Sequence, residues 1–216
     1  MVSIKDLVAR AFATLSSAAS IQTRQSGYAD PKSSGGSSLA FFPDKPNGEP
    51  LNVIVTGIPA AETFSSWYKA IGYGKECFGI HIGGIMQANI DSRGPRKPEG
   101  EIRFGYGEDP DAEGSCLESI IGGSHFRYWQ QEGTQAWFLA ASREKGIEHR
   151  HDIVANGYDL GRDTIVKAAT KFSSYKGQNF TATVSYVSGL LPSGSKGINH
   201  GIALDGRTAV LSVTVS

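Results

Sequence analysis

The chain of 216 residues is long enough for one domain with a sizeable core. Its 21 basic and 21 acidic residues cancel, which argues against a general electrostatic grip on nucleic acid. No run approaches the roughly eighteen apolar residues of a spanning helix, so a soluble chain without a transmembrane segment is expected.

Taken in order, residues 1–24 carry Lys5, Arg10 and Arg24 among many Ala and Ser, with Asp6 the one acid. That composition suits a targeting leader, although Arg10 interrupts the apolar stretch a secretory signal needs. An amphipathic helix through Ile4, Leu7, Val8, Ala11 and Leu15 fits the same residues. Residues 26–50 are rich in Gly, Ser, Pro and Asp and read as a linker, so 1–50 is predicted to be an arm and 51–216 the folded domain.

The body opens with an apolar strand at 51–56, stopped by Gly57. Pro59 and Glu62 then suit the first turn of a helix, whose buried stripe is Phe64, Trp67, Tyr68 and Ile71. The Gly-rich stretch 78–89 lacks the spacing of a phosphate loop and reads as strand and turn, with His81 structural. Residues 92–100 read as an exposed loop. A strand follows at 101–106, with Ile102, Phe104 and Tyr106 on one face and Glu101 and Arg103 on the other. The carboxylate run Glu108, Asp109, Asp111, Glu113 lacks EF-hand spacing and reads as solvated loop. Cys77 and Cys116 belong to no C-x-x-C; they read as two thiols, with one bridge the alternative in a secreted protein.

The most informative stretch is 124–163, which holds three of the five histidines and two of the three tryptophans. Two strands, 124–130 and 136–142, flank a glycine-containing loop of hairpin length. Alternation places His125, Arg127 and Trp129 on one face and Phe126 and Tyr128 on the other. The same period aligns His149 with His151. A helix is predicted over 159–172, with Ile165, Ala169 and Phe172 as its stripe and Arg162 and Asp163 in its first turn. Strands at 180–187 and 208–215 close the fold, separated by a Gly- and Ser-rich loop at 190–206 that carries His200 and has the length of a binding loop. Asn179-Phe180-Thr181 is a sequon, relevant only in a secretory compartment.

His125-Phe-Arg127-Tyr-Trp129, then Ala136-Trp137 through Ala141-Ser142-Arg143 to Gly146, then His151-Asp152 and Tyr158-Asp159 with Arg162-Asp163 follow one another in order. The series resembles the LssY C-terminal domain family, in which an HxRxW strand leads to a W-x-x-A-A-[ST]-R-[DE]-x-G strand, a turn with histidine and aspartate, and a charged helix start. A weaker likeness extends to residues 51–57 and to Asp205-Gly206-Arg207 with its final strand. In bacteria that domain often neighbours DedA-like membrane segments and a phosphatidic-acid-phosphatase-like domain, which implies a lipid-associated setting.

Burying histidines, arginines and aspartates together costs desolvation unless their hydrogen bonds are satisfied or a ligand uses them. The bland alternative is caps and buried ion pairs. The functional reading makes His125 or His151 a general acid/base oriented by Asp152 or Asp159, with Arg127, Trp129, Trp137, Arg162 and Asp163 holding an anionic or amphiphilic molecule. A metal on His125, His151 and an aspartate is the lesser alternative, and no cofactor is expected. No serine sits in a Gly-x-Ser-x-Gly elbow. The sequence thus predicts an α+β fold, a largely antiparallel sheet of six or seven strands with two main helices against it. It points to a soluble, preferentially cytoplasmic protein acting on a small-molecule ligand, or else to a non-catalytic ligand-binding or lipid-associated accessory module.

Overall fold

In the computed structural model, residues 27–75, 77, 85–106 and 114–216 are described. The predicted leader or amphipathic helix, His81 and the carboxylate run at 108–113 lie outside these residues.

In chain order the elements are β1 (Leu39–Phe41), β2 (Gly48–Pro50), β3 (Val53–Thr56), α1 (Ala61–Ala70), β4 (Tyr73–Lys75), β5 (Gln87–Ala88), β6 (Gly100–Phe104) and α2 (Ser115–Ile121). They continue with β7 (Gly122–Gln130), β8 (Trp137–Lys145), α3 (Gly157–Ala169), β9 (Ser173–Tyr175), β10 (Gln178–Gly194) and β11 (Leu204–Val215). The class is α+β. Eight strands form one sheet in the order β4-β6-β7-β8-β3-β11-β10-β9, and β2-β1-β5 form a second. The large sheet is bigger and less uniform than the expected one: β3 runs parallel to β11, so it is mixed, and among the described residues three α-helices stand where two main ones are expected.

The β7–β8 hairpin sets the register that matters for function. Gln130 pairs with Trp137, His125 with Ser142 and Gly122 with Lys145. Because side chains alternate, Phe126, Trp137, Leu139 and Ala141 face one side and His125, Arg127, Trp129, Ala140 and Ser142 the other. The first side is covered by α1 and α3. Phe64, Trp67, Tyr68 and Ile71 of the predicted stripe all bury there, with Ile165 and Ala169 of α3. Phe64 stacks on Trp137, ring centroids 4.3 Å apart at 15°. Phe172 is exposed, because α3 ends at Ala169 before reaching it.

The other side is covered by the small sheet, which corrects the reading of 26–50 as linker. Ala40, Met86 and Ala88 close over Trp129, Phe138 and Ile54. A 3-10 turn at Pro31–Ser34 precedes it. The apolar residues there are few, but β1 finds both partners, β2 beside it and β5 far along the chain. The loop expected over 190–206 is also shorter, since β10 runs to Gly194 and β11 resumes at Leu204 after a register shift. Cys77 and Cys116, read as thiols, form a disulfide that ties the start of α2 to the segment after β4.

Candidate functional site

Where the small sheet meets the ends of β7 and β8 lies a cavity of about 260 Å³. His125 and Arg127 enter it from β7, Glu144 from β8 and Glu49 from β2. Arg150 and His151 come from the turn after β8, His200 from the turn before β11, and Lys45 and Phe42 from the β1–β2 connection. The cavity therefore draws on both sheets, and its charges come from segments remote in sequence.

The turn after β8 is not the strand that would align His149 with His151. It is a 3-10 turn over Ile147–His149 followed by Arg150 and His151 at φ 54° and 56°. His200 sits at φ 58°. Six non-glycine residues among those described adopt such left-handed backbone, and three of them line this cavity. That conformation costs of order 1–3 kcal/mol for residues with a Cβ and clusters at binding sites. Here it is held by hydrogen bonds from Lys145 N to Asp152 O and from Val154 N to Arg143 O, which dock the turn on the end of β8.

Beneath the cavity lies a buried ionic cluster. Arg103 Nη1 donates to Glu118 Oε2 at 2.9 Å and to Glu144 Oε1 at 2.6 Å, and its Nη2 donates to Glu101 at 2.9 Å. Arg127 pairs with Glu101 at 3.0 Å and Glu49 at 3.6 Å. His125 Nδ1 stands 3.4 Å and His151 Nδ1 3.1 Å from the Glu144 carboxylate. Both contacts have ion-pair distance but poor hydrogen-bond alignment, and neither Nδ1 has a hydrogen-bond partner among the described residues. His125 Nε2 is 3.3 Å from Ser142 Oγ, its cross-strand neighbour.

Burial dominates the titration of this cluster. It lifts Glu144 to about 7, with the charges of Glu118 and Glu101 adding and Arg103 opposing. Glu118 is raised for the same leading reason. His125 is held well below the ordinary imidazole range by burial and then by the charges of Arg103, Arg127 and His151. His151 is lowered by burial and Arg103 against a smaller opposing pull from Glu101. Neutral imidazoles thus face carboxyl groups that hold protons more tightly than usual. This arrangement can exchange a proton with a bound molecule.

Of the residues predicted from sequence, His125, Arg127 and His151 share this cavity. Asp152 is exposed on the turn and does not line it. Trp129 and Trp137 are core side chains on opposite sides of the sheet, their ring N–H groups donating to Arg96 O and Ile58 O. Asp159, Arg162 and Asp163 belong to a separate network at the start of α3. There Arg162 donates to both oxygens of Asp205 at 2.7 and 3.0 Å, to Asp163 at 2.8 Å and to Arg207 O at 3.1 Å. Its guanidinium is occupied in tying α3 to β11.

Glu49, Glu144, Lys45, Arg150 and His200 went unseen as partners in one site. Glu144 had a signal: it follows Ser142 by two along β8, hence on the face of His125. Glu49 and Lys45 had none, because their segment reads as linker. No family model, curated protein or solved structure matches the chain.

Proposed function

We propose that the chain is an LssY C-terminal-like domain that acts on a small anionic or amphiphilic organic molecule by histidine–carboxyl acid/base chemistry. The observation that carries this reading is one cavity that brings His151 and Glu144 together with the cations Arg127, Arg150 and Lys45. A phosphate or carboxylate of the ligand would meet Arg150 and Lys45 at the exposed rim and Arg127 further in. His151, on the wall, would take or return the proton, with Glu144 behind it in the orienting role that sequence alone assigned to aspartate. Phe42 and Ile153 supply the apolar part of the wall.

The test is a binding screen of small organic phosphates and carboxylates on the full chain by thermal shift. Arg150→Ala and Lys45→Ala should abolish the shifts while leaving the unliganded midpoint in place, since both side chains are exposed. His151→Asn should keep binding of a turned-over compound and lose its conversion. Shifts that survive both rim substitutions would sink the reading.

A second reading, a lipid-associated accessory module, is favoured by one observation. Leu117, Ile120 and Ile121 of α2 and Ile147 of the turn that α2 contacts are 42–59% exposed. Flotation with anionic vesicles, lost in Ile120→Asp/Ile121→Asp, would support it; no flotation would remove it.

A further inference from the structure

We propose that Glu118, His125 and Glu144 form a binding site for one divalent transition-metal ion of the zinc, manganese or iron(II) type at the floor of the cavity. This donor set differs from the combination of His125, His151 and an aspartate that the sequence suggests: the two glutamates take the places of His151 and the aspartate. The inference goes beyond the acid/base reading and does not depend on it.

Each of the three residues can present one donor atom such that all three lie within 4.8 Å of one another. All three are buried, Glu118 to 0% exposure and His125 to 2%. Their remaining atoms are engaged in the way a metal site requires of its supports. Arg103 Nη1 takes Glu118 Oε2 and Glu144 Oε1, which leaves Glu118 Oε1 and Glu144 Oε2. Ser142 Oγ takes His125 Nε2, which leaves Nδ1. Two of those remaining atoms, Glu118 Oε1 and His125 Nδ1, are buried with no hydrogen-bond partner among the described residues. Leaving such atoms unpaired is costly, so something is expected to satisfy them.

The 3.4 Å between His125 Nδ1 and Glu144 Oε2 is long for a hydrogen bond and misaligned for one. It matches the edge of a tetrahedron whose metal–ligand distances are about 2.1 Å. Among the described residues, Glu49, Glu101, Glu118 and Glu144 pair with two guanidiniums, Arg103 and Arg127. A divalent cation bound to Glu118 and Glu144 would balance the charge they carry as ligands. His125 and Glu144 line the cavity, so an entry path and an open coordination position face the ligand. One histidine with two carboxylates suits manganese, iron(II) and zinc better than a thiol-seeking ion.

Zinc and manganese salts are the probes. The full chain, stripped with chelator and reloaded, should retain one equivalent of metal through desalting, and its thermal midpoint should rise with metal. Glu118→Gln and His125→Asn should weaken binding by about tenfold or more. His149→Ala, an exposed histidine outside the cavity, should leave it unchanged. Should either buried substitution fail to fold, Ser142→Ala keeps the test alive, because it removes only the support of His125 and should weaken binding in a folded chain. A folded wild-type chain that retains neither ion overturns the proposal. So does binding that Glu118→Gln and Ser142→Ala leave intact, the signature of an adventitious ion. Both readouts are made without any organic ligand, so their failure leaves anion binding at the rim untouched, and failure at the rim leaves metal retention untouched.

Discussion

Arg103 shows how much depends on one side chain. It is 4% exposed and holds Glu101, Glu118 and Glu144 at once, although burial opposes its own charge. Removing one partner of a buried ion pair costs about 3–5 kcal/mol, because the survivor stays buried and unpaired. Here three carboxylates lose their partner, so Arg103→Met should fall at the upper end of that range in urea denaturation. A loss under about 1 kcal/mol would mean that the carboxyl groups are already neutralised some other way. Sequence alternation had put Glu101 and Arg103 together on the polar face of their strand. What it lacked was Glu118, which reaches them only because α2 folds back beside β6 and β7.

At the scale of the element, α3 is the clearest case of close packing combined with charge. A Cβ on Gly161 would lie 2.5 Å from the backbone of Ser142, so the helix can sit on β8 only with glycine there. Alanine gains up to about 1 kcal/mol of helix propensity. Overpacking against rigid backbone costs about 1–3 kcal/mol, so Gly161→Ala should be net destabilising and should displace Ser142. The helix is also pinned by Arg162 to Asp205 on β11. Burial pushes the Asp205 carboxyl up, but hydrogen bonds from Arg162 and Arg207 outweigh it and hold the group at about 2. A depressed carboxylate contributes stability that is fully present above its unfolded value near 3.8 and is lost as pH falls through 2. Thermal midpoints followed from about pH 5 down to about pH 2 should therefore drop more steeply for wild type than for Asp205→Asn. Parallel curves would show that the Arg162–Asp205 tie contributes nothing. The helix start and its charges were legible at Tyr158-Asp159 and Arg162-Asp163. Their partner was not, because Asp205 lies more than forty residues on.

Across the whole molecule, what could be read in advance was periodic and local: the aromatic stripe of α1, the two faces of β7 and the final strand pair. What could not be read depends on distant pairing. β1 is stabilised by β5 and by the apolar face of β7 and β8, so a Gly- and Ser-rich segment becomes a lid over Trp129 and Phe138. The same lid supplies Glu49 and Lys45, so the cavity exists only when the arm is docked. The Cys77–Cys116 bridge is the other long-range tie, closing a separation of 39 residues around β5 and β6. Chain-entropy reasoning for a loop of that size gives about 4 kcal/mol, and such bridges persist in oxidising compartments. These two ties make separable predictions. Reduction should lower the thermal midpoint by roughly 10 °C while leaving rim-dependent ligand shifts measurable below that temperature. Deleting residues 1–50 should do something reduction does not: expose Trp129 and Phe138 to water and remove Glu49, which pairs with Arg127 alongside Glu101. Burial of such aromatic surface is worth several kcal/mol, so the truncated chain should bind a hydrophobic dye and lose its cooperative melt. A truncated chain that melts like the full-length protein would return residues 27–50 to the role of a linker and remove the β1–β2 connection from the site.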